Sequence, residues 1–210
     1  MKTLESVSNL LFPLPVALVT CRSGEKDPST DNIITIAWAG IVDNLPNIVT
    51  ISVGKGKYSE EIISRRREFG ICLADVGMME KADRCGTTHG NKTDKFAENR
   101  FSKVPAGKID VSLVNESPVC LECRVTNTVE VPTHLVYFAE VIATHVDERY
   151  LKTAPGSTAV LGTAPGAISG SGNAAGSGKP DLEAMDILCY AAGSYWSLGR
   201  RLEGLGYTKR

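Results

Sequence analysis

No apolar run in this 210-residue chain approaches the roughly 20 residues that a membrane-spanning helix needs. The longest, around Ile33 to Val42, is interrupted by Thr35 and flanked by Asn32 and Asp43. No membrane partner is expected. The chain also lacks a surplus of either charge: 23 Lys and Arg face 24 Asp and Glu, a formal net charge of −1. Nucleic-acid binding usually announces itself as a basic face, so no nucleic-acid partner is expected either. A signal peptide is not expected either. The stretch "LLFPLPVALVTC" (10–21) is broken by Pro13 and Pro15, its basic n-region is thin, and Thr20 fits a lipoprotein cleavage site poorly. The expected location is the cytoplasm.

Histidine is scarce. His89, His134 and His145 are the only three, and no HExxH, GxSxG or Walker motif is present. Protein-only hydrolytic or nucleotide-cleaving machinery is therefore not indicated. His145, late in a strand-like segment beside Asp147 and Glu148, reads as a surface residue. Six cysteines read as free thiols in a reducing compartment. The only CxxC, Cys120 to Cys123, lies in "PVCLECRVTNTVEV", whose β-branched content reads as a strand. Residues three apart on a strand face opposite sides, which puts Val119, Leu121, Cys123 and Val125 on the buried face and Cys120, Glu122 and Arg124 on the other. With no second pair, no metal site is expected.

Strand signals dominate the first two-thirds. They cover 15–23, 33–40 and 47–54, the last two separated by "DNLP", then 69–76, 119–131 and 134–146. A helix is expected over 58–68, with Glu60 and Glu61 in its first turn and Arg65, Arg66 and Arg67 in its last. That order complements the helix dipole, pairs Glu61 with Arg65, and reads the arginine run as a solvated helix end. The pieces "MMEKADRC" and "KTDKFAEN" are helical and bracket a loop rich in Gly, Thr and Lys. Most links between strands are too short for crossover helices, so the fold class is mainly β, an antiparallel barrel with a few helices outside. The expected organisation is one domain over 1–210: a barrel core at about 12–148, a glycine-rich segment at 162–180 and an extension at 181–210. Gly170, Gly172 and Gly176 approach a dinucleotide fingerprint, but no buried strand feeds them, and the segment reads as a flexible loop or lid.

The junction "GKGKYSEEI" (54–62) sits between a strand and a helix. A helix N-terminus offers unpaired N–H groups and partial positive charge, so this is a natural place for a phosphate.

In order along the chain, "PLPVALVT", "NIITIAW", "PNIVTISVGKGKYSEEI", "FGICLAD", "ADRCGTTHGNKTDKF", "LECRV" and "THLVYFAEV" resemble the flavin reductase-like family, with a weaker echo in "YAAGSYWSLG". The subgroup most similar is flavoredoxin. The resemblance implies a six-stranded antiparallel FMN-binding split barrel, a homodimer, and FMN near the subunit interface. Thr35, Ile36, Ala37 and Trp38 would lie along the isoalloxazine or ribityl chain, with Ser52, Val53 and Gly54 flanking it. Lys57, Tyr58 and Ser59 match the phosphate grip, Ser59 adding the helix cap, while Glu60 and Glu61 compete for the same helix end. Gly86, Thr88, His89, Gly90 and Lys95 match a second ligand loop. His89 stands where a small hydroxyl residue is common, and Ala139 where glycine is usual.

The resemblance implies that the cofactor carries the chemistry, with no catalytic acid or base from the protein. His134 is the candidate for lining the acceptor site; the other reading is an ordinary strand histidine. Three function classes stay open: flavin reduction with NADH or NADPH as donor, a flavoredoxin-like electron carrier between redox protein partners, and a flavin- or haem-storage module.

Overall fold

The computed structural model describes residues 9–152, 179–203 and 208. Its principal sheet has seven antiparallel strands: β1 (Ala17–Arg22), β2 (Asp31–Ile36), β3 (Ala39–Asn44), β4 (Asn47–Gly54), β5 (Glu68–Leu73), β6 (Val119–Glu130) and β7 (His134–Val146). Their order is β2-β1-β5-β6-β7-β4-β3. Short hairpins join β1 to β2, β3 to β4 and β6 to β7, as antiparallel pairing allows. The count is seven rather than six because the expected strand 33–40 is two strands. Ala37 and Trp38 leave the ladder between them; the Ala39 N–H bonds the Ala37 carbonyl at 3.0 Å, and the Ser52 N–H bonds that of Trp38 at 2.9 Å.

Alternation along β4 turns Val49, Ile51 and Val53 into an inner core. Ile36 from edge strand β2 joins the same cluster, so the sheet rolls round that core. Helix α1 (Tyr58–Arg66) adds Ile62 and Ile63 to it. An outer core covers the other face, where α2 (Met79–Thr87) and α3 (Lys95–Glu98) contribute Ala82, Cys85 and Phe96. Strand β1 is therefore buried along its whole length. Residues 181–203 return to this scaffold. The strand Leu188–Ala191 pairs with Leu14–Pro15 and with Ser194–Ser197, and Leu188 exchanges backbone bonds with Val16 and Ala74. The turn at Ala192 and Gly193 has positive φ at both residues, which glycine tolerates best. Of the glycine-rich stretch, 162–178 lie outside the described residues; Lys179–Pro180 pairs with Leu151–Lys152. No helix among the described residues is long and apolar enough to cross a membrane.

Three local expectations change. Cys120 and Cys123 do face opposite sides, but each side is a core: Cys120 lies in the outer cluster and Cys123 in the inner one. A sheet covered on both faces has no polar side for Cys120 and Glu122 to occupy. The arginine run is only in part a solvated end: Arg65 is exposed, while Arg66 and Arg67 are half-buried. Arg65 donates to the Ser23 carbonyl at 2.9 Å, Arg66 to Asp110 at 2.8 Å and Arg67 to the Thr128 hydroxyl at 2.8 Å, tying α1 to three separate segments. No ion pair joins Glu61 to Arg65 among the described residues. Finally, Glu122 is fully buried and His145 is half-buried against it, Nε2 to Oε1 at 2.6 Å.

Glu122 also accepts the N–H groups of Gly107 at 2.8 Å, Lys108 at 2.6 Å and Ile109 at 3.2 Å. Burial alone would raise its pKa; the Gly107 N–H, the His145 ring and the Lys108 N–H together outweigh it and hold the carboxyl below its ordinary value. A depressed carboxylate contributes stability that is complete above its unfolded pKa and is lost as pH falls through the lower folded value. Glu122→Gln should therefore cost about 1.5–3 kcal/mol at neutral pH, the worth of hydrogen bonds to a charged group. The cost should shrink as the wild type is taken into acid. Urea unfolding of both proteins across that range measures it; a pH-independent difference would refute the clamp.

Candidate functional site

The ends of β2, β4 and β7 meet the N-terminus of α1. In the register of β4 and β7, Gly54 is opposite His134. A Cβ added at Gly54 would lie 3.7 Å from Lys57 Cγ and 3.8 Å from His134 Nε2, so the lysine stem and the imidazole flank bare backbone. The Trp38 ring tilts against that of His134 at a centroid distance of 4.8 Å, with Trp38 about half exposed. Trp38, Gly54, Lys57 and His134 thus form one ledge. Ser52 shares its outward strand face. Ile36 and Val53 turn their side chains into the inner core and present only backbone there.

Lys57 is the N-cap residue of α1 and makes no side-chain capping bond. The amides of Tyr58 and Ser59, first in the helix, have no intrahelical acceptor. Ser59 does not cap the helix as expected. Its hydroxyl is buried and accepts from Asn32 Nδ2 at 2.7 Å. Glu60 turns back over the turn, its Oε2 accepting from the Gly56 N–H at 3.1 Å. Lys55 points elsewhere and pairs with Glu130 at 2.5 Å. The Tyr58 hydroxyl reaches Ser23 Oγ at 3.3 Å rather than staying over the turn.

The second loop packs directly beside this turn. Gly90 lies against Asn32, where a Cβ would come 2.0 Å from Oδ1; any side chain there would displace the amide that holds Ser59. Lys95 is buried and donates to the Cys85 carbonyl at 2.6 Å. Burial pushes its ammonium below the usual lysine value. Thr88 and His89 are exposed, Thr88 bonding back to the Arg84 carbonyl. Gly86 approaches Thr35, whose hydroxyl bonds the Ala82 carbonyl. A small cavity of about 160 Å³ opens there, between Thr35, Ala37, Asp83, Gly86 and two tyrosines, Tyr190 and Tyr195. Tyr195 donates to Asp83 at 2.9 Å, and burial together with that bond pushes its phenol up to about 12.

Eight of the expected residues fall into two groups. Trp38, Ser52, Gly54, Lys57 and His134 make the ledge; Thr35, Ala37 and Gly86 line the cavity. Sequence reasoning gave no role to Asn32 or Asp83, although they lie in the quoted stretches "NIITIAW" and "ADRCGTTHGNKTDKF". The tyrosines had a weak signal in "YAAGSYWSLG".

The model of the flavin reductase-like domain matches residues 9–162. The chain belongs to this family. It is 25% identical to flavoredoxin of Desulfovibrio vulgaris (Miyazaki F), with a TM-score of 0.80 and both chains covered in full. Flavoredoxin from Methanosarcina acetivorans is likewise 25% identical, at a TM-score of 0.79, with 100% of this chain and 98% of that one covered. An uncharacterised protein of Archaeoglobus fulgidus is 27% identical over 138 residues, 65% of this chain and 75% of that relative. The mainly β, rolled antiparallel architecture is that of the family's split barrels. Family and neighbours support a flavin-related oxidoreductase or carrier.

Proposed function

We propose that the protein binds FMN and catalyses flavin reduction with NADH or NADPH as donor. The observation that carries the FMN assignment is the turn before α1: an uncapped helix start with free amides at Tyr58 and Ser59 and one cation, Lys57, over bare Gly54 backbone. These groups fit a terminal phosphate. In this reading Lys57 pairs with the phosphate, and Asn32 holds Ser59 so that its amide stays presented. Thr88, His89, Gly90 and Lys95 close the turn from the second loop. The ledge of Trp38 and His134 borders the ring system, with Ser52 and the backbone of Ile36, Ala37 and Val53 along it. Thr35 and Gly86 keep α2 close to that backbone. Bound FMN supplies hydride acceptance at its ring; the protein's residues bind, orient and shield.

A homodimer belongs to the same proposal. Edge strand β3 and its turn leave Ile41 81% and Leu45 90% exposed, an apolar edge that a second copy would cover. Sedimentation of the FMN-loaded protein tests this; a monomer would count against it. A second reading, an electron carrier between redox proteins, is favoured by the full-length likeness to two flavoredoxins. Anaerobic addition of NADH and of NADPH separates the readings. Bleaching of the visible flavin band is expected with one of them. Flavin that stays oxidised with both, yet takes electrons from a reduced redox protein, would establish the carrier instead.

Lys57→Ala should weaken FMN roughly ten- to a hundredfold, from hydrogen bonds to a charged group worth ~1.5–3 kcal/mol and about 1.4 kcal/mol per factor of ten. Riboflavin, which lacks the phosphate, should bind almost unchanged. Lys55→Ala, already paired with Glu130, should have a small effect on either. Titration of both flavins into both variants decides it. Equal losses for FMN and riboflavin would remove the phosphate from this turn.

A further inference from the structure

A cavity of about 320 Å³ runs along the flank of α1, immediately past the Lys57 turn, lined by Ser23, Thr30, Tyr58, Glu61, Ile62 and Arg65. The four helix residues are spaced i, i+3, i+4 and i+7, one face of α1. Ile62, 1% exposed, makes an apolar floor. The half-buried Tyr58 ring packs on the inner core, and its hydroxyl reaches Ser23 Oγ. Arg65 bridges to the Ser23 carbonyl with one nitrogen and has no other partner among the described residues. The Glu61 carboxylate is exposed and likewise has no partner among them.

We propose that this cavity binds the adenosine portion of a dinucleotide. The inference rests on the reading of the Lys57 turn as a phosphate site: Tyr58 belongs to both, so the cavity faces an adenosine linked to the flavin phosphate on the turn, or one carried by a donor whose own phosphates lie beside it. Ligand pockets begin at about 300 Å³, so this volume suits a nucleoside and excludes a whole dinucleotide. The chemistry of the lining agrees. An aromatic ring and a planar guanidinium take the faces of a base. A free carboxylate receives ribose hydroxyls, as acidic residues do in dinucleotide folds. The Ser23 and Thr30 hydroxyls spend their protons on the Thr30 and Asp27 carbonyls, so each offers a base edge an acceptor lone pair, suited to an exocyclic amino group. The same Glu61 carboxylate repels a 2′-phosphate. The adenosine has two sources, the flavin itself as FAD or the nicotinamide donor, and one experiment distinguishes them.

Equilibrium dialysis of labelled adenosine against FMN-loaded protein should give saturable binding at one site per chain. Glu61→Gln and Arg65→Ala should each weaken it about tenfold, the loss of one hydrogen bond to a charged group. Bound flavin is measured on the same samples; retained FMN shows that each variant is folded. Adenosine 2′-monophosphate should bind the wild type more weakly than adenosine does, and the gap should narrow in Glu61→Gln. Displacement of adenosine by NAD⁺ from FMN-loaded protein assigns the cavity to the donor. Loss of adenosine binding when FAD replaces FMN assigns it to the flavin. Displacement by neither overturns the dinucleotide assignment. Protein that loads no FMN would overturn the reading of the turn, whereas FMN-loaded protein that ignores adenosine, or variants that bind it as the wild type does, would overturn the cavity alone.

Discussion

The bond from the Ser52 N–H to the Trp38 carbonyl, 2.9 Å long, is the constraint on which the ligand side of this molecule depends. It holds Trp38, the second of the two residues that leave the ladder between β2 and β3, onto the neighbouring strand β4. Without it, the run from Ile33 to Gly40 could continue as one regular strand, and Trp38 would follow the period-2 alternation. With it, the chain turns a corner, the Trp38 ring stands against His134, and β3 pairs with β4 as the edge of the sheet. Backbone at a corner is exposed to ligand in a way that ladder backbone is not, because its N–H and C=O groups are not all spent on neighbouring strands.

Both faces of the sheet are buried at β1, β5 and the first half of β6, and that forces polar groups on these strands to find partners inside the protein. Arg22 shows how this is done: its Nε bonds Asp31 at 2.7 Å and a second nitrogen bonds Ser112 at 3.0 Å. Glu122 gathers three backbone N–H groups and an imidazole. Each of these clusters fastens a loop between 107 and 112 to the sheet. Clusters of this kind fix geometry more than they add stability, since desolvation of the charges offsets much of the attraction, while loss of one partner leaves a buried charge uncompensated.

The strands and helices were legible because their signals are local. Alternation, β-branched runs and turn residues mark β4, β6 and β7, and the ordered charges mark α1. Legibility stopped where long-range geometry decides. Strand 33–40 reads as one element because the bond that breaks it comes from Ser52, on a different strand. Glu122 and Cys120 read as facing outward because no local signal tells a strand with one covered face from a strand with two. Ser59 reads as a cap because Ser is a good cap; its hydroxyl is instead claimed by Asn32, on a strand 27 residues earlier. The arginines read as solvated because their partners, Ser23, Asp110 and Thr128, are far along the chain. Of the site, Lys57 and Gly54 were legible as a helix-start motif. The cavity beside Tyr58 was not, for it exists only once the loop of 23–30 is folded against α1.

Charge at the turn is what makes Lys57 decisive. Two lysines and two glutamates crowd the segment 55–61, which in sequence amounts to neutrality. The fold disposes of them unequally. Lys55 is withdrawn into a pair with Glu130 on β6. Glu60 accepts from Gly56 and from the Ser64 hydroxyl, so its charge is tied to the turn itself and spread over two donors. Glu61 lines the cavity on the other flank of the helix. Among the described residues of this turn, Lys57 alone keeps an ammonium uncommitted beside the free amides. The glutamate at the turn opposes an incoming phosphate, and the helix N-terminus and Lys57 together favour it. Since helix amides and Glu60 pull in opposite directions at the same spot, the sign of the balance is set by the lysine.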